Sequence, residues 1–161
     1  MSYTAGGMTC MKYASVIQKQ RTKVGMTQEE LAMQIGAPLS RIQKWESGDT
    51  LPNLMQVPLL CAALHMSYES FFSIQGRSRG RQHRHATNIP MYQISYLPVM
   101  CNHTMQHYRL SSHMSLQEFA EKCSVSEKTA AKWETGNAIP KLDTIPLICD
   151  ALHIKIWQFF E

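Results

Sequence analysis

The chain has 161 residues, 44% of them apolar and 17% charged, with a formal charge of +4. That balance fits a globular protein and excludes fibrous or wholly disordered ones, and no apolar run approaches the ~20 residues of a membrane helix. The opening MSYTAGGMTCMKYA lacks the basic start and apolar block of a secretory signal, so a cytoplasmic protein without a membrane partner is expected.

In chain order, residues 12–23 are expected to form a first helix, closed near Gly25. Thr27-Gln-Glu-Glu30 is a capping box: the Thr27 hydroxyl can accept from the Glu30 amide while the Glu30 carboxylate reaches back. The helix it opens turns Leu31, Ala32 and Ile35 inward and stops at Gly36, which suits a turn with positive φ. A third helix carries Ile42 and Trp45 inward and ends on Gly48, a left-handed cap. Pro52 and Pro58 are expected to start the next helices, where a missing N–H costs little. An amphipathic tail follows with Phe71 and Phe72. Neither copy of this pattern holds a stretch that alternates like a strand.

The pattern occurs twice. Residues 17–72 align without a gap on residues 105–160, an offset of 88, and 19 of the 56 positions are identical. KWESGDTLP, at 44–52, returns as KWETGNAIP at 132–140. Residues 11–75 are therefore assigned to an N-terminal domain and residues 98–161 to a C-terminal one. Residues 76–97 between them form a basic linker. Charge is uneven: 12–75 holds six Lys/Arg and five Asp/Glu, 76–104 four Arg and no acid, and 105–161 six Lys/Arg and seven Asp/Glu.

MTQEELAMQIGAPLSRIQKWESG and MSLQEFAEKCSVSEKTAAKWETG, each followed by a P-x-L and LL-C-x-ALH type tail, resemble the Cro/C1-type (XRE) helix-turn-helix family. The resemblance covers about two thirds of the chain. It implies an all-α fold, two tandem five-helix lambda-repressor-like domains joined by the basic linker. It also implies a DNA-binding transcriptional regulator, a repressor of phage or mobile-element type, with double-stranded DNA as partner. The family's second helix braces on the backbone and its third enters the major groove. On that resemblance Gln28 would touch a phosphate, while Leu39, Ser40, Arg41, Gln43 and Lys44 would face the groove. Arg41 and Lys44 suit guanine, Gln43 adenine, and Leu39 a thymine methyl. Arg21–Glu46 and Arg109–Glu134 match a structural ion pair beneath the third helix, and Trp45 and Trp133 match core positions.

The C-terminal copy departs from this pattern. Leu116 replaces Gln28, Ser124 replaces Gly36, and its third helix presents Glu127, Lys128, Thr129, Ala131 and Lys132. Lys128, Thr129 and Lys132 are its candidate DNA contacts, on a domain that lacks the basic footprint of a DNA binder. The copy is accordingly expected to read a degenerate half-site, to dimerise, or to bind a protein partner. In the linker, Arg77, Arg79, Arg81 and Arg84 could follow the DNA backbone as a basic arm or simply be solvated. NIPMYQISYLP after them suits a short strand or an interface segment.

Five cysteines without a C-x-x-C pair argue against a disulfide framework or a zinc ribbon. Cys61-x-x-x-His65 and Cys149-x-x-x-His153 put two ligand types on one helix face, but two ligands per copy fall short of a zinc site. No metal and no cofactor are expected. No nucleophile with a base partner and no phosphate loop is present, so no enzyme is expected. The competing function is a helix-turn-helix-fold protein that binds and inhibits a protein or ribonucleoprotein, antitoxin-like or anti-CRISPR-like. It rests on the acidic second copy and eleven methionines, whose side chains adapt to varied surfaces.

Overall fold

The structure, a computed structural model, describes residues 5–72 and 97–160. It divides the chain into two compact units at Ile89 and Pro90. The basic arm 77–84 lies outside the described residues, as does all of NIPMYQISYLP except Leu97 and Pro98, which open a helix.

The first unit runs α1 (Ala5–Val24), α2 (Gln28–Gln34), α3 (Leu39–Ser47), a 3-10 turn (Leu54–Gln56), α4 (Val57–Ala63) and α5 (Tyr68–Phe72). The second runs α6 (Leu97–Ser111), α7 (Leu116–Lys122), α8 (Glu127–Glu134), a 3-10 turn (Leu142–Thr144), α9 (Ile145–Leu152) and α10 (Ile156–Phe159). Among the described residues there is no strand. The all-α expectation and the duplication both hold.

Two expectations change in detail. The first helix begins at Ala5 rather than residue 12, and its added turns bring Met11 over the end of α3. A Cβ built on Gly48 would lie 2.8 Å from Met11 Sδ. Pro52 starts no helix. It sits buried in an irregular stretch, and Asn53 caps the 3-10 turn instead, in a capping box with Gln56. Of these two prolines it is Pro58 that opens a helix, in the first turn of α4.

Each core forms where the apolar faces of the helices meet. Tyr13, Ile17, Leu31, Ile42, Trp45, Leu60, Leu64 and Phe71 are buried in the first unit. Phe119, Ala130, Trp133, Ile148, Leu152 and Phe159 take matching places in the second. In the first, Tyr13 stacks on Phe71 with ring centroids 5.4 Å apart. Its counterpart is Cys101, whose thiol instead donates to the Phe159 carbonyl at 3.7 Å. The scaffold is thus copied while the packing against its closing helix is not.

Candidate nucleic-acid interface

The local order of α2, turn and α3 follows from three devices. Thr27 and Glu30 make the reciprocal capping box, at 3.1 Å and 2.7 Å. At the other end of α2, Gly36 takes φ +65° and the Ala37 amide donates back to Ala32 at 2.9 Å, closing the helix so that the chain can reverse. Gly48, at φ +81°, closes α3 in the same way, with the Asp49 amide on the Lys44 carbonyl at 3.0 Å.

Beneath α3 lies a charged lock. The Arg21 guanidinium grips Glu46 with both arms, Nε to Oε1 at 2.6 Å and Nη2 to Oε2 at 2.9 Å. Its Nη1 donates to the Met26 carbonyl at 2.6 Å. The side chains are 14% and 3% exposed, so two charges are largely withdrawn from water and must satisfy one another. The Glu46 hydrogen bond pushes the guanidinium pKa further up, against the burial that would lower it. Gln28 adds a third donor, its Nε2 reaching Glu46 Oε2 at 2.7 Å. The sequence pattern missed this bond: Gln28, expected on a phosphate, also ties the start of α2 to the floor of α3.

With Ile42, Trp45 and Glu46 turned inward, the remaining side of α3 is open. Ser40, Arg41, Gln43 and Lys44 are exposed there, and Leu39 is half-buried at the start of the helix. Among the described residues the ion pairs are Arg21–Glu46 and Arg109–Glu134, so neither Arg41 nor Lys44 is in one. The helix opens on Pro38, whose side chain makes no cap hydrogen bond.

The second unit keeps the lock and changes the face. Arg109 holds Glu134 at 2.6 Å and 2.8 Å and donates to the Met114 carbonyl at 2.8 Å. Leu116, in place of Gln28, offers no third donor. Ser124 holds the turn at φ +56° without being glycine. Lys128 and Lys132 are exposed on α8, next to Glu127, also exposed. Thr129 is half-buried, and its hydroxyl lies 2.8 Å from that of Ser126, the helix cap. It therefore completes the cap of α8 rather than projecting freely.

The two Cys/His pairs do not assemble. Cys61 and Cys149 are buried, whereas His65 and His153 are exposed at left-handed positions that end their helices. Burial pushes the Cys61 thiol pKa strongly up and that of Cys149 to about 12. Among the described residues no group of three or more His, Cys, Asp or Glu side chains is placed to hold a metal.

The helix-turn-helix family model HTH_3 matches the chain twice, over residues 17–71 and 105–156. The chain belongs to that family. HTH_3 proteins are helix-turn-helix DNA-binding regulators of the XRE, or Cro/C1, type, and the two matched segments are tandem copies of the HTH_3 domain. No curated protein and no solved structure matches the chain. Among the described residues no helix is long and apolar enough to cross a membrane. In HTH_3 terms α2 and α3 are the helix pair of the first copy and α7 and α8 that of the second.

Proposed function

We propose that the protein is a sequence-specific transcriptional repressor that inserts α3 of its first unit into the major groove. The observation that carries this is the two-sided character of α3. Ile42, Trp45 and the Arg21–Glu46 lock fix one side, and Ser40, Arg41, Gln43 and Lys44 stand exposed on the other. A rigid helix with unpaired donors is what base readout requires, because mobile side chains would lose on ordering what they gain on contact. Repression needs only occupancy of an operator, which a reader helix supplies by itself. In this proposal Gln28 spends one Nε2 hydrogen on Glu46 and offers the other to a phosphate, and the arginines at 77–84 add backbone charge.

The second unit supports a different role. Glu127 puts a negative charge where α8 would meet DNA, Thr129 is engaged in the cap, and the unit carries more acid than base. Exposed Leu110, Ile139 and Leu147 favour its use against protein, whether a second copy or another partner that the chain binds and inhibits.

Selection of binding sites from random double-stranded DNA, followed by gel shifts across salt concentration, tests the repressor proposal. One enriched operator is expected, with affinity falling as salt rises because counterions are released. Binding that ignores sequence at low salt and enriches nothing would end it.

A further inference from the structure

We propose that His103 and His107 form a divalent-metal site on the second unit. It would take Ni(II) or Cu(II) through two imidazole nitrogens, which are too few for a zinc site. The site is distinct from the helix pair and does not depend on DNA binding.

Both residues lie on α6 and both are exposed. Four residues advance a helix by about 6 Å and about 40°, so the two side chains rise from one face, one above the other. At this spacing two imidazoles on one helix face can reach the same cation. Both histidines line a single groove of about 550 Å³, with Gln106, Tyr108, Leu110 and Gln158. Two of the lining side chains are tied together, Gln158 Nε2 donating to the Tyr108 hydroxyl at 3.2 Å. The His107 ring stands edge-on to that of Tyr108, with centroids 5.3 Å apart and planes at 76°.

The ligand chemistry narrows the cation. Imidazole suits zinc, copper and nickel, while magnesium and calcium want oxygen donors. None of the residues lining the groove is a carboxylate. Two protein ligands leave the other coordination positions to water or to a donor from another molecule, for which the groove has room. The duplicated scaffold does not itself call for imidazoles here. The positions 88 residues earlier are Ser15 and Lys19, and the Lys19 ammonium would repel a cation.

The test is calorimetric titration of Ni(II), then Cu(II), into the full chain carrying Cys10→Ser, at about pH 7.5. One equivalent is expected to bind and to raise the melting temperature. His103→Ala and His107→Ala should each weaken Ni(II) binding by about tenfold or more, with helical circular dichroism unchanged. The double variant His83→Ala/His85→Ala should bind as the parent does. The proposal is overturned by a parent that binds no metal, by binding that survives either single alanine within about twofold, or by binding lost with the arm histidines.

Discussion

His65, His113, Ser124 and His153 take positive φ, at 49°, 53°, 56° and 56°. Each closes a helix at a place where glycine would be free of strain, and a side chain there costs roughly 1 kcal/mol. His153→Gly and Ser124→Gly should therefore each raise stability by about 1 kcal/mol, seen as a higher urea midpoint at unchanged slope. A lower midpoint would mean that the side chains make contacts worth more than the strain. The cysteines give a second residue-scale outcome. Burial holds the thiols of Cys101, Cys123 and Cys149 at pKa values of about 12, 11 and 12, and that of Cys61 higher still. Only a thiolate attacks a disulfide reagent. At about pH 8, well below those values, all four stay protonated in the folded state, leaving the half-exposed Cys10. Ellman's reagent should titrate one thiol in the native protein and five after denaturation; fast reaction of several would contradict the packing.

At the scale of the element, α3 and α8 are held by the same device with one difference. Glu46→Ala would strand Arg21, which is 14% exposed, beneath α3. It should cost about 2–3 kcal/mol, less than a fully buried pair because some water reaches the guanidinium. The drop in melting temperature would be on the order of 10 °C or more. Gln28→Leu, which writes the second copy's residue into the first, removes one donor and keeps the ion pair. Its stability cost should be about 1 kcal/mol, read by the same denaturation. These locks were legible in the sequence because Arg21 and Glu46, and again Arg109 and Glu134, fall where the family resemblance implies an ion pair. The Gln28 bond was not, since a glutamine at a helix start carries no mark of which way its amide turns. Pro52 misled for a related reason. Proline signals a helix start only where the next residues lack a better cap, and Asn53 with Gln56 supplies one.

Across the whole molecule the duplication preserved the residues that fold each copy and changed the exposed face of the third helix. Caps, turn and ion pair recur, while Gln28, Arg41 and Gln43 give way to Leu116, Thr129 and Ala131. The helices were therefore plain from periodicity and caps, whose physics is local, and their arrangement from the family resemblance. The interface was legible only as a list of candidates. Thr129 shows why: its spacing matches a reader position, yet its hydroxyl is engaged at the helix cap. The central claim is that the first unit reads DNA and the second does not read it to the same degree. It is tested by comparing the affinity of Arg41→Ala/Lys44→Ala with that of Lys128→Ala/Lys132→Ala for a selected operator at fixed salt. Each lost base contact removes about 1–3 kcal/mol, so the first pair should weaken specific binding on the order of 100-fold. The second pair should change it by less than about threefold. Equal losses from both pairs would contradict the asymmetry.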